Sequence, residues 1–472
     1  MKDQMSTNVH IVILAAGKGT RMKSELPKVL HQVGGQPMLS LVLRTATALQ
    51  PESITVVVGH MAESVKAMLA KDWPSVETVT QEPQLGTGHA LLQTEPLLSG
   101  KTGTVLLLSG DAPLLQPETL HALLAHHRST GSQATPLTTS VKNPTGYGRI
   151  VRSQSGDLLR IVEHRDATEA ERAIHEINSS IYAFELAPLF DGLRKIASAN
   201  AQGEYYLPDL IGIYRAQNQR VEAHEVPEES MVELLGINSR AELAHMNALL
   251  RDRRNAAAMA NGVTLIDPAT TWIGADVEIG PDTVIHPNVY LEGQTRIGTG
   301  CELQAGTRIV NSTLANDVLI QNYCVIKDSR IETGAILGPF AHIRPESVVG
   351  PGAHVGNFTE LKKTHLGPGS KANHLAYLGD ATIGAGVNIG AGVITCNYDG
   401  VKKHPTIIED NVFVGTDSQL VAPVTLGKGS YIGAGSSITE DVPPGALAIA
   451  RSRQTNKEGW ATAKAAKKKD AK

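Results

Sequence analysis

Hydrophobic positions fall into two regimes along the chain. From residue 9 to about 228, short aliphatic runs alternate with amphipathic stretches. Val9 to Leu14, Ile54 to Val58, Val76 to Thr80 and Val105 to Leu108 read as buried strands, and the segments between them carry helical spacing. Such alternation predicts an α/β domain with a mostly parallel sheet covered on both faces, where ligands sit beyond the carboxyl ends of the strands. Residues 239 to 260 are rich in Ala, Leu, Met and Arg behind a capping Ser239, which predicts one long connecting helix.

After that helix the apolar period becomes six. Ile273, Ile279, Ile285, Leu291, Ile297, Leu303 and Ile309 are evenly spaced; Leu337 to Leu361 resume the period after a slip, and Ile408 to Ile438 give a third run. Seven such matches have roughly one chance in ten thousand of arising at random, so the repeat is real. A six-residue period with glycine often following the aliphatic predicts a parallel β-helix, each coil stacked one strand spacing on the last. An aromatic content of 4% suits so narrow a core. Where the phase breaks, at Leu361 to Leu366 and at Thr395 to Pro405, loops are expected to protrude, and their Lys362, Lys363, His374, Asn388, Asn397 and Tyr398 suggest a site.

Composition narrows the classes. At 472 residues, length alone allows about three domains, but two unequal parts fit the patterning better. A net charge of -4 provides no global field for nucleic acid or a membrane surface, so an anionic substrate must be held locally. Cys301, Cys324 and Cys396 form no zinc or disulfide spacing, which fits a reducing cytoplasmic setting. The first eight residues lack the apolar core of a signal peptide, and no apolar run reaches the length of a membrane span. Residues 461–472 read as a disordered basic tail.

The first strand leads into Leu14-Ala15-Ala16-Gly17-Lys18-Gly19-Thr20-Arg21-Met22. This is no Walker loop, and Met22 stands where a dinucleotide fingerprint needs its third glycine. What remains is a small-residue turn whose N–H groups can approach phosphate, with Arg21 as a fork and Lys28 as a point charge. Gln81-Glu82-Pro83-Gln84-Leu85-Gly86-Thr87-Gly88 follows the third strand, and Ser109-Gly110-Asp111 ends the fourth, where a carboxylate needs water, a cation or a cap.

These strings, with Pro27-Lys28, Asn143 to Ile150, Ile161-Val162-Glu163, Glu176 to Ser179 and Gly236-Ile237-Asn238, resemble the sugar nucleotidyltransferases. With the hexapeptide half attached, residues 9 to 460 resemble the bacterial bifunctional family of N-acetylglucosamine-1-phosphate uridyltransferases and glucosamine-1-phosphate acetyltransferases. The resemblance implies a Rossmann-like nucleotidyltransferase domain over residues 1–238, a linker helix over 239–262 and a left-handed β-helix acetyltransferase domain over 263–460. It implies that Leu14, Ala15, Ala16, Gly17, Gln81, Gly86 and Thr87 hold uridine. Arg21 and Lys28 would meet the UTP phosphates, with Ser109 and Gly110 beside them. Gly148, Glu163 and Asn178 would grip the N-acetyl sugar, and Asp111 with Asn238 would hold Mg²⁺. In the second half it implies that His374 is the catalytic base, assisted by Glu360. Arg344, Lys362, Tyr377 and Asn388 would bind glucosamine-1-phosphate, and Asn397, Tyr398, Thr416, Ala434 and Arg451 acetyl-CoA. The implied product is UDP-N-acetylglucosamine, a precursor of cell wall and lipopolysaccharide, made by a cytoplasmic homotrimer. A single-activity nucleotidyltransferase with a structural or effector-binding β-helix is the alternative; His374 and the Asn397 insertion argue against it. One departure stands out: Ser109 occupies a position where relatives often carry Tyr.

Overall fold

The computed structural model describes residues 8–470, leaving residues 1–7 and 471–472, and what was read of them, outside the description. Two compact units result, one up to Leu250 and one from Arg251, dividing within the helix Arg240–Ala260.

In the first unit, β1 (Val9–Ala15), β2 (Ser53–Val58), β3 (Glu77–Thr80) and β4 (Thr104–Ser109) are joined by β5 (Ala134–Ser140), β6 (Arg149–Arg152), β7 (Leu158–Val162), β8 (Glu176–Glu185) and β9 (His224–Glu225). The sheet order is β9-β5-β8-β4-β1-β2-β3, with β6 and β7 attached as a hairpin to β8. The expected mostly parallel sheet is therefore mixed. β4-β1-β2-β3 run parallel, but β8 lies antiparallel to β4, β5 and β6. The reason is that the four strands legible as aliphatic runs are joined by helical crossovers, which impose parallel pairing, whereas β6 and β7 form a hairpin that needs none. Alternate residues of the buried strands serve two cores. Ile11, Ile13, Val56 and Leu108 face the helices Met38–Ala48 and Pro117–Thr130, while Val12, Val57 and Leu107 face Leu189, Leu193 and Leu210.

The second unit is a parallel β-helix whose coils contribute one short strand to each of three sheets, with 11, 10 and 9 strands. The inward column of the first sheet runs through Ile285, Leu303, Ile320, Leu337, Val355 and Ala372; that of the second runs through Leu291, Ile309, Ile326, Ile343, Leu361 and Leu378. Thr and Ser just before these aliphatics are buried, and their hydroxyls satisfy carbonyls of the next coil, as in Thr364 to Leu378 (2.8 Å) and Ser370 to Gly384 (2.6 Å). The expectation that every phase slip raises a loop is corrected. Leu361 and Leu366 sit inward on adjacent sheets, in register with Leu378 and Ile383, so a five-residue step only tightens a corner. The stretch after Cys396 does leave the stack, which resumes at Thr406–Ile408. At the end of the chain, where a disordered tail is expected, Trp460–Asp470 is helical, with side chains exposed through Lys468.

Candidate active sites

The small-residue loop leaves β1 and makes a single 3-10 turn, Thr20–Met22. Met22 is its anchor, buried in a small core with Val33, Met38, Leu114, Ile237 and Met246. Gly19 has φ +58°, and a Cβ there would lie 2.7 Å from that of Lys28. The glycine thus lets the loop close onto the lysine. Lys28 points inward from the turn Lys28–Leu30, paired with the Asp111 carboxylate and donating to Asn238 Oδ1 at 2.7 Å. Asp111 and Asn238 are far apart in sequence but adjacent in space, because the Ile237 N–H donates to the Asp111 carbonyl at 3.0 Å. A Cβ on Gly236 would come 3.1 Å from Asp111 Oδ1, so a side chain there would press on the carboxylate. Ser109 Oγ donates to Asp111 Oδ1 at 2.6 Å.

A cavity of about 280 Å³ opens over these groups. Its lining includes Leu14, Ala15, Ala16, Gly17, Lys28, Gln81, Gly86, Thr87, Ser109 and Asp111, together with Gln84, Ser180 and Glu204, which sequence reasoning missed. Gln81 is buried and donates to the Gly86 carbonyl at 2.9 Å, which shapes one wall. Gly110 is buried behind the floor, its N–H on the Leu14 carbonyl at 2.9 Å. Arg21 is exposed on the loop and does not line the cavity; its charge reaches Tyr147, whose hydroxyl burial pushes upward. Gly148, Glu163 and Asn178 form a second group: the Asn178 N–H donates to the Gly148 carbonyl at 3.0 Å, and a Cβ on Gly148 would lie 3.3 Å from Glu163 Oε1. Burial raises the Glu163 carboxyl above its ordinary range, with Asp166 and Asp209 adding to the effect.

On the β-helix, His374 sits at the corner between the first and second sheets, in register with Asn357 one coil earlier. Its Nδ1 bonds Asn357 Oδ1 at 2.8 Å. An amide oxygen only accepts, so Nδ1 carries the hydrogen of the neutral ring and Nε2 keeps the lone pair. Glu360, expected to assist His374, is committed elsewhere. It accepts from Arg344 Nη1 at 2.7 Å and faces His342 at 3.6 Å, because it projects from the second sheet. Thr416, Ala434 and Arg451 follow on the His374 side: the Gly435 N–H donates to the Thr416 carbonyl at 2.8 Å, and Arg451 Cδ lies 3.9 Å from where a Cβ of Gly435 would stand.

The other edge of the second sheet gathers Arg344, Lys362, Tyr377 and Asn397. Lys362 Nζ lies 3.2 Å from Asp380 Oδ2, which also takes the Asn397 amide. Gly379 makes room: a Cβ there would be 2.5 Å from the Tyr377 hydroxyl and 2.8 Å from Asn397 Nδ2. The excursion after Cys396 carries an exposed Tyr398 and brings Lys403 back to face Lys362. Lys403 and Asp380 are further residues the sequence did not single out. Asn388 is not in this group; it pairs with Lys371 and Phe413 on the first sheet. Among the described residues, no cluster of three or more His, Cys, Asp or Glu could hold a metal, and no helix is long and apolar enough to cross a membrane.

An α/β unit with a phosphate-loop cavity, followed by a β-helix with a cationic cluster and a histidine, defines a nucleotidyltransferase joined to a hexapeptide transferase. Family models agree: the MobA-like NTP transferase domain matches residues 11–178, and the six-repeat bacterial transferase hexapeptide matches 276–311 and 405–440. The chain is similar to curated relatives named bifunctional protein GlmU. That of Brevibacillus brevis is 49% identical over 96% of this chain and 97% of its own length. That of Koribacter versatilis is 49% identical over 98% and 99%, and that of Thermoanaerobacter pseudethanolicus 50% over 95% and 96%. The chain belongs to the bifunctional GlmU family, and it is an enzyme with a nucleotidyltransferase and an acyltransferase activity.

Proposed function

We propose that the cavity at the end of β1 transfers UMP from UTP to N-acetylglucosamine-1-phosphate, and that the β-helix cluster makes that acceptor by acetylating glucosamine-1-phosphate with acetyl-CoA. The observation that carries the first half is the convergence of Asp111 and Asn238 on the Lys28 ammonium at the mouth of a small-residue cavity. Two oxygen donors already turned toward one cation fit Mg²⁺, which takes few protein oxygens and completes its shell with phosphates and water. Bound there, Mg²⁺ would neutralise phosphate charge as pyrophosphate leaves. The residues do the rest. Leu14 to Gly17, Gln81, Gly86 and Thr87 hold the nucleoside, while Gly148, Glu163 and Asn178 hold the sugar. Lys28 and Arg21 offset the charge as the sugar-phosphate oxygen attacks the α-phosphorus. No general base is required, because the attacking phosphate is already an anion.

In acetyl transfer the Lys362, Arg344 and Lys403 cations suit a sugar phosphate, and Tyr377 stands beside them. Nε2 of His374 takes the proton from the amine as it attacks the thioester carbonyl, and CoA leaves. Asn397, Tyr398, Thr416, Ala434 and Arg451 hold the CoA. Asn388 lies on a different sheet from Tyr377, so we read the acetyl-transfer site as completed by a second copy in a homotrimer. An exposed ladder at the His374 corner supports this: Tyr323 stacks on Phe340 at 5.2 Å and Phe340 on Phe358 at 5.3 Å, with exposed Leu375 next in line. A cytoplasmic setting with UTP and acetyl-CoA at hand belongs to the same reading.

The test is a pair of variants. His374→Ala is expected to abolish CoA release with glucosamine-1-phosphate while sparing uridylyl transfer, and Asp111→Ala to do the reverse. Loss of the same single activity in both would refute two separate sites.

A further inference from the structure

Asp380 binds no substrate, yet Lys362 and Asn397 of the acetyl-transfer cluster both meet on its carboxylate. Its side chain is 14% exposed and sits at a corner with φ +48°, a conformation Asp tolerates better than most residues. Oδ2 takes both Lys362 Nζ, at 3.2 Å, and the Asn397 amide. The backbone binds the same neighbours: the Asp380 N–H donates to the Lys362 carbonyl at 2.9 Å, and its carbonyl accepts from the Thr406 N–H at 3.1 Å. Asn397 and Thr406 bracket the excursion, so both of its ends are tied to this residue. Within the excursion, Asp399 accepts from the N–H groups of Val401 (2.7 Å) and Lys402 (2.6 Å) and pairs with His404 at 2.7 Å, which presents Lys403 to Lys362.

We propose that Asp380 is a positioning residue for acetyl transfer: one carboxylate sets Lys362 against Asn397, so that the grip on the acceptor's phosphate and the grip on the thioester donor keep a fixed spacing. The inference rests on the acetyl-transfer reading of this cluster. A second consequence follows from charge. Lys362 and Lys403 face each other, and the pair holds the proton more tightly on Lys362 and less tightly on Lys403; Asp380 favours the proton on both, whereas Arg344 opposes it on Lys403 and Tyr377 supports it on Lys362. Without the carboxylate, two facing ammoniums cannot both stay charged as readily. A neutral lysine no longer attracts the phosphate.

Asp380→Asn in the full-length enzyme removes the charge but leaves an oxygen for the Asn397 amide. Acetyl-transfer kinetics from pH 7 to 10 should show the acceptor KM rising on the alkaline side at a pH lower by about one unit or more, and about tenfold higher near pH 9. The acetyl-CoA KM and uridylyl transfer should remain near wild type. Asp380→Glu, which keeps the charge, should return the alkaline limb to its place; Asp380→Ala, which leaves Asn397 unheld, should raise the acetyl-CoA KM as well. A wild-type pH dependence of the acceptor KM in Asp380→Asn, or a limb that Asp380→Glu does not restore, overturns the proposal. Lys362→Ala separates the levels: if it leaves the acceptor KM unchanged, the acceptor-site reading falls and the inference with it.

Discussion

Lys28 has three neighbours that no local pattern connects: Gly19 beneath it, Asp111 beside it and Asn238 in front. Its ammonium holds the two oxygens where the reading places a divalent cation, so in the nucleotide-bound state the lysine must turn to the phosphates. Ser109 shapes the same corner. By donating to Oδ1 of Asp111 at 2.6 Å it leaves Oδ2 turned toward the Lys28 ammonium, so the hydroxyl fixes the carboxylate. Hydrogen bonds to charged groups contribute about 1.5–3 kcal/mol, less where water can substitute. Ser109→Ala is accordingly expected to raise the Mg²⁺ concentration for half-maximal uridylyl transfer by about 3–10-fold, with acetyl transfer unaltered. A metal titration of both activities checks this, and an unchanged midpoint counts against the role given to the hydroxyl.

Among the elements, the β-helix coil shows how strict the repeat is. Leu361 is fully buried between Ile343 and Leu378 in the second-sheet column, in a close-packed core. Leu361→Ala should cost about 2–5 kcal/mol in the stability of the second unit and little in the first. Denaturant unfolding followed by each activity would reveal it as early loss of acetyl transfer; coincident loss of both would mean that the units do not unfold independently. The five-residue steps carry a related lesson. The coil absorbs a missing residue at a corner, where the backbone already turns, and keeps every inward position inward.

For the molecule as a whole, the proposed association rests on the exposed ladder Tyr323, Phe340, Phe358 and Leu375. A carboxylate in its middle would have to be buried without a partner on assembly, which costs far more than the apolar contact it replaces. Phe358→Asp is therefore expected to yield monomers on sedimentation, with acetyl transfer lost and uridylyl transfer kept. An intact assembly would mean that copies meet through a different face.

Much was settled by the sequence alone. The six-residue period required a β-helix, because only a coil with a fixed number of residues per side returns an aliphatic to the core at that interval. The β1 loop with Lys28, Gln81, Gly86, Thr87 and Asp111 was legible because its residues stand at the ends of aliphatic runs, and ten expected positions line one cavity. Three things needed the folded chain. The antiparallel entry of β8 depends on a hairpin that aliphatic runs do not mark. The partner of His374 is Asn357 rather than Glu360, because register across coils, not nearness in sequence, decides which side chains meet. Asp380 carries no motif, and its importance comes from where three distant segments cross, which is a property of packing and leaves no trace in local spacing.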